Sequence, residues 1–212
     1  MKRIIEIKRQ RRNKNRYTIY FDDDEWIGLF DELVIKHGLV VGKEVDSHKL
    51  MKLSQEDDAR KARNLATRYL GYRSRSHKEM VTYLEGKGFN QDIINETIER
   101  LEGYGYMDDG AFARDWVNSR MAGNPRGKAM IKMELFNKGI DADIVEEALA
   151  RVSDEDEEEQ AYKLALKYSR RYRDLSSREK WNKLGQALAR RGFSWEIIRR
   201  ANHRLNIEEE DE

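Results

Sequence analysis

The chain has 212 residues, 39% of them hydrophobic and 38% charged, with one proline, no cysteine and a formal net charge of +1. This composition excludes a disulfide framework and a thiolate metal site, and it favours exposed helices over a thick globule or a disordered chain. The N-terminal MKRIIEIKRQRRNKN has no apolar run long enough for a signal peptide, and nothing later approaches a membrane span, so the expectation is a soluble, cytoplasmic protein.

The near-zero total hides sorted charge. Residues 1–20 carry eight Lys or Arg against Glu6 alone, and the stretch to Asp58 is acidic, with DDDE at 22–25. Basic residues dominate again from 160 to 204, flanked by DEDEEE at 154–159 and EEEDE at 208–212. Such segregation suits a polyanion or a charge-complementary partner, although solvated helix faces also produce it.

Residues 4–21 alternate as strands do: Ile5 and Ile7 share one face, as do Tyr17, Ile19 and Phe21, with RRNKN as the turn between them. This predicts a basic β-hairpin. Trp26 to Leu29 can add a third strand, DELVIKHGL reads as a short helix stopped by Gly38, and Asp46 or Ser47 opens another helix. The predicted cap covers residues 1–57.

From Asp58 the spacing becomes helical, and one phrase is written three times: LEGKGFNQDII at 84–94, LFNKGIDADIV at 135–145 and LARRGFSWEII at 188–198. Aligned on Phe89, Ile140 and Phe193, the copies place Leu84, Leu135 and Leu188 five residues upstream. Ile93, Ile94 and Leu101 lie downstream, matched by Ile144, Val145 and Val152 and by Ile197, Ile198 and Leu205. These offsets trace one apolar helix face. Gly88, Gly139 and Gly192 suit a left-handed helix stop, each after a basic residue, while Asn90, Asp141 and Ser194 are preferred N-caps. Each copy is therefore a helix-turn-helix. Another helix precedes each pair, in ARNLATRYL, GAFARDWVNSR and AYKLALKYSRRY, and SHKE at 76–79 reads as a capping box. The fold expected is mainly α: three tandem three-helix, helix-turn-helix-like repeats (58–107, 108–153, 154–207) in an elongated curved array, behind the small N-terminal β-hairpin and short-helix cap and ahead of an acidic tail at 208–212.

Signs of catalysis are weak. His37, His48, His77 and His203 fall in different elements without ligand spacing, so no metal site is assigned. GNPRGKA at 123–129 lacks a residue between its glycines and a Ser or Thr after Lys128, so it is not a phosphate loop. Asp22, Asp23 and Asp24 read as a solvated turn, and Asp108 and Asp109 as helix caps. No cofactor is expected.

The cations carry more. Arg68, Arg73, Arg75 and Lys78 bracket the first inter-helix loop of copy one; Arg126 and Lys128 stand at that place in copy two, and Arg170, Arg171 and Arg173 in copy three. Arg190, Arg191, Arg199 and Arg200 extend the row around the third turn, and Arg11, Arg12 and Lys14 in the hairpin turn are a further candidate DNA contact. Cations repeated in step can follow a phosphate backbone or an acidic groove and make binding salt-sensitive; complementing helix dipoles is the plainer explanation.

YMDDGAFARDWVNSR, and RGKAMIKMELFNKGI through Arg126, Glu134, Leu135, Lys138, Gly139 and Ile140, together with three tandem three-helix units, resemble the RecX family, the bacterial regulators of the RecA recombinase, over about residues 58–207. The N-terminal hairpin is similar to the extension of longer members. The resemblance implies an interaction protein, not an enzyme. It would bind RecA and its filament on single-stranded DNA, lie in the helical groove, and suppress ATP hydrolysis, strand exchange and coprotease activity. Duplex DNA is a second possible partner, and a monomer is the default state. The competing expectation is a helix-turn-helix protein that acts directly on DNA through NQDIINETIER and its counterparts.

Overall fold

The computed structural model describes residues 1–210, with side chains through 206; the acidic tail expected at 208–212 lies outside the described side chains. The elements in order are β1 (Lys2–Arg9), β2 (Arg16–Phe21), β3 (Trp26–Phe30), α1 (Asp31–Lys36), β4 (Glu44–Val45) and α2 (Ser47–Leu70). They continue with α3 (His77–Glu85), α4 (Gln91–Gly103), α5 (Asp109–Ala122), α6 (Lys128–Asn137), α7 (Ala142–Ala150), α8 (Asp154–Ser169), α9 (Ser177–Ala189) and α10 (Trp195–Glu210). The chain forms two compact units: residues 1–73 with 80–106, and residues 74–79 with 107 onward.

In the first unit the predicted hairpin is the middle of a four-stranded antiparallel sheet ordered β3-β2-β1-β4. Its core is Ile4, Ile19, Phe21, Leu29, Leu33, Leu39, Val45 and Leu53. The strict alternation expected of β1 does not hold. The register with β2 shifts between Ile4 and Glu6, so Ile4 is buried and Ile5 is 52% exposed. A bulge changes the parity of the strand and lets Ile4 and Ile7 both pack on the core.

Helix α2 starts at Asp46, whose carboxylate accepts from Lys49 N at 2.6 Å, and runs through residue 57 without a break. Leu53, Ala59, Ala62 and Ala66 keep helical spacing on its buried side. Asp57 is itself buried. It accepts from Arg16 Nη2 at 2.8 Å and from Phe30 N at 2.9 Å, tying β2 and β3 to the helix. An ion pair this buried contributes mainly by geometry, since removing one partner would strand the other charge.

The three repeated turns form as the spacing predicts. Gly88, Gly139 and Gly192 have φ of 85°, 78° and 86°, the left-handed conformation that a Cβ disfavours. Leu84, Leu135 and Leu188 are fully buried behind them, with Ile94, Val145 and Ile198 from the following helices. Asn90 Oδ1 accepts from Ile93 N at 3.0 Å and Ser194 Oγ from Ile197 N at 3.2 Å. Asp141 takes the N-cap backbone conformation but makes no side-chain cap bond, so at the second turn glycine and the buried Ile140 suffice. Repeat 2 has its own core around Phe112, Ile131, Leu135 and Val145, and repeat 3 has one around Ala165, Leu188, Phe193 and Ile198.

Candidate protein and nucleic-acid interface

The second unit shows how one repeat seats on the next. Gly127, just before α6, donates its N–H to Arg191 O at 2.9 Å, and a Cβ built on Gly127 would come within 3.0 Å of the Gly192 carbonyl. A Cβ on Gly192 would in turn strike Met130. The same arrangement occurs one step earlier. Ser76, before α3, donates its hydroxyl to Lys138 O at 2.7 Å, and a Cβ on Gly139 would lie 2.6 Å from Lys78 Cβ. Gly139 and Gly192 thus serve twice, as helix stops and as flat seats, the one for Lys78 and the other for Met130. Backbone contact this close tolerates no side chain.

Polar groups complete these seats. Ser76 Oγ accepts from Glu79 N at 3.2 Å, as its place in SHKE predicts, and the Glu79 carboxylate also pairs with Lys138. The Asp109 carboxylate accepts from His77 N at 2.9 Å, and burial raises its pKa above the ordinary aspartate value. Asp108 accepts from Ala111 N at 3.0 Å and so is the cap of α5. Glu134 gathers Trp116 Nε1 at 2.8 Å, Arg120 Nε at 2.6 Å and Arg126 Nε at 3.8 Å. Lys128 Nζ meets Asp154 at 2.9 Å and Glu157 at 3.9 Å, while its backbone N–H donates to Glu157 Oε1 at 2.9 Å. Glu157 is buried, and desolvation raises its pKa; Asp154, held by the Lys128 ammonium, is shifted down.

The predicted cations therefore fall into two groups. Arg126, Lys128, Lys78 and Arg191 belong to the seats; Lys78 Nζ reaches Asn137 O at 3.4 Å, and Arg191 binds Asn124 and the Tyr168 hydroxyl. Arg200 pairs with Glu196 along its own helix. Arg170, Arg171, Arg173, Arg190 and Arg199 are exposed and have no ion-pair partner among the described residues. Arg73 is exposed and Arg75 half-buried. Arg68 is exposed and, with Lys87, borders a cleft of about 540 Å³ that Phe30 and Phe89 also line. Arg11, Arg12 and Lys14 are exposed on the β1–β2 turn, whose other cation, Arg9, donates to Lys14 O.

Aromatic residues interleave with the exposed cations. Tyr72, 79% exposed, sits between Arg68 and Arg73, and Tyr72 and Tyr172 each precede an arginine, in RYLGYRSR and SRRYR. Alternation of base and aromatic is the signal that charge counting alone passes over, because a strand of unpaired nucleotides needs both stacking faces and cations. The Asp22–Asp24 turn is committed to the cap instead: Asp22 Oδ1 accepts from Arg3 N, Asp23 pairs with Lys2, and Asp24 has positive φ. Among the described residues no helix is long and apolar enough to cross a membrane, and no group of three His, Asp or Glu side chains is placed to hold a metal.

All three repeats and the cap match descriptions of one family. Residues 62–101, 108–149 and 155–201 match the first, second and third three-helix domains of RecX, and residues 2–46 match the N-terminal domain of regulatory protein RecX. The regulatory protein RecX of Bacillus licheniformis is 34% identical over 98% of this chain and 79% of its own length. This chain belongs to the RecX family. The RecX of Clostridioides difficile is 33% identical over 98% of both chains. A crystal structure of regulatory protein RecX superposes with a TM-score of 0.72 at 29% identity, covering 94% of this chain and 98% of that one. RecX from Lactobacillus salivarius gives 0.67 at 35% identity, covering 72% and 99%. The mainly helical fold of three three-helix domains behind a small N-terminal sheet is thus that of RecX proteins, and the family is one of regulators.

Proposed function

We propose that this chain regulates the RecA recombinase, mainly as an inhibitor. It binds RecA and the RecA filament on single-stranded DNA, and so suppresses ATP hydrolysis, strand exchange and coprotease activity. Membership of the RecX family supports the regulatory role, and the observation that carries the contact surface is the exposed trio Arg170, Arg171 and Arg173 beside Tyr172, a trio with no ion-pair partner among the described residues. Arg190 and Arg199 in the same repeat, and Arg68 and Arg73 in repeat 1, supply further charge for acidic protein or phosphate. Lys128 acts indirectly, by tying repeat 2 to Asp154 and Glu157 of repeat 3, while Arg126 faces Glu134 within repeat 2. In the competing reading, α4, α7 and α10 would be three equivalent duplex readers, but where α10 carries Arg199 and Arg200, α4 has Asn95 and Glu96 and α7 has Glu146 and Glu147. That asymmetry favours the RecA reading.

The test is a titration into RecA ATPase on single-stranded DNA at two salt concentrations. Inhibition that weakens as salt rises, and weakens further when Arg170, Arg171 and Arg173 are changed to glutamate, is expected. Unchanged ATPase at either salt would reject the proposal. Deleting residues 1–21 tests the hairpin: DNA affinity should fall if Arg11, Arg12 and Lys14 contribute, and unaltered affinity removes them from the surface.

A further inference from the structure

Asn202, on α10, is 1% exposed, and neither the nitrogen nor the oxygen of its side-chain amide has a hydrogen-bond partner. Folded proteins rarely leave both ends of a buried amide unsatisfied, because the group has given up its water and gained nothing in exchange. Asn202 lines a cavity of about 180 Å³ in repeat 3, together with Arg173, Ser177, Lys180, Trp181 and others. Among the described residues no carboxylate lines it. Leu184 of the repeat 3 core forms part of its wall, and the seat residues Gly127, Met130 and Gly192 do not line it.

The lining defines what fits. A primary amide offers an acceptor beside a donor, so its complement is a flat group with a donor beside an acceptor. A nucleobase edge has that pattern, and adenine, with N6–H next to N7, is the usual bidentate partner of asparagine. The indole of Trp181 supplies a stacking face, and Arg173 and Lys180 supply positive charge for the phosphate attached to the base. A volume of 180 Å³, about that of six waters, admits one base and not a base pair. A peptide amide would also complement Asn202, but it has no need of two cations and an indole.

We propose that this cavity receives a single unpaired nucleobase, adenine foremost, splayed from a single strand whose backbone runs over Arg170, Arg171 and Arg173. The proposal deepens the reading in which single-stranded DNA is a partner and rests on it. It makes repeat 3 a repeat that encloses a base, whereas Tyr72 in repeat 1 offers only an open stacking face.

The experiment uses the full chain without RecA. Anisotropy measures binding of a labelled oligo-dA and of an abasic strand of equal length to wild type, Asn202→Leu, Asn202→Asp and Trp181→Leu. Wild type should prefer oligo-dA by at least about fivefold. All three variants should bring that preference close to unity while binding the abasic strand as wild type does; Arg173→Glu should weaken both strands alike. Equal binding of both strands by wild type overturns the proposal, as does a persisting preference in a variant whose circular dichroism and melting match wild type. Titrating dAMP into labelled wild type needs no variant: the Trp181 indole N–H resonance should shift, and shift less with deoxyribose 5-phosphate. A shift produced by a blocked glycine amide and not by dAMP would assign the cavity to a peptide and overturn the base. RecA ATPase run in parallel separates the two readings. Inhibition without base preference rejects only the cavity, and base preference without inhibition rejects only the RecA reading.

Discussion

The loops before α6 and before α9 occupy the same place in successive repeats, and both are basic, yet their cations do different work. Arg126 and Lys128 lie within reach of Glu134, Asp154 and Glu157, and Gly127 between them is pressed on the third turn. Arg170, Arg171 and Arg173 are exposed and meet no carboxylate among the described residues. The lesson is that a cation in an array is spent on cohesion where a neighbour presents acid, and stays available for a partner where none does. Positive charge repeated in step along a sequence is therefore not one surface.

The sharpest way to break this comparison is at the seat itself. Gly127→Ala drives a methyl into the Gly192 carbonyl, so a loss of about 3 kcal/mol is expected in denaturant melts. Gly88→Ala, where a Cβ meets nothing within 4 Å, should cost only the left-handed backbone penalty of about 1 kcal/mol. Equal losses would remove the distinction between a seated turn and an open one. Lys128→Glu comes next: it sets like charge against Asp154 and the buried Glu157, and about 2 kcal/mol of stability should go. If that variant melts as wild type does, the pairing across the repeats is not cohesive.

The triple change of Arg170, Arg171 and Arg173 to alanine should leave stability within about 0.5 kcal/mol, because these side chains are exposed and make no ion pair among the described residues. Binding to single-stranded DNA should lose salt dependence instead, the log–log slope falling by about 2 if all three meet phosphate. An unchanged slope with a lowered melting temperature would invert the assignment of the two loops. The smallest effect is at Glu157. Its folded-state pKa is raised by burial, so its charged form costs stability at neutral pH, and that cost disappears as pH falls through the raised value toward the ordinary 4.5. Glu157→Gln keeps an acceptor for Lys128 N–H and should raise the melting temperature slightly at pH 8, with the gain shrinking toward pH 5. A gain that grows as pH falls would show that the Lys128 attraction outweighs desolvation.

Much of the helical architecture was legible beforehand because its determinants are local. Gly139 and Gly192 stop helices through their own φ, Asn90 and Ser194 cap through an amide three residues on, and Leu135 and Ile140 reach the same core across a single turn. The candidate interface was legible only as an inventory. Tyr72 and Tyr172 alternate with arginine in plain view, but Asn202 reads as any polar residue on an amphipathic helix, since nothing near it in sequence announces that both ends of its amide lie buried without a partner.

From the order of residues alone came the three turns, their caps, the helical class and the resemblance to RecX, all set by contacts within a few positions along the chain. Tertiary structure decided the bulge that turns Ile5 outward, the passage of α2 through Asp57, and the division of cations into those that bind repeats and those that face outward. The reason is distance along the chain. Lys128 is neutralised by carboxylates 26 and 29 residues later, and Asp57 by an arginine 41 residues earlier, so only folding brings the charges close enough to count.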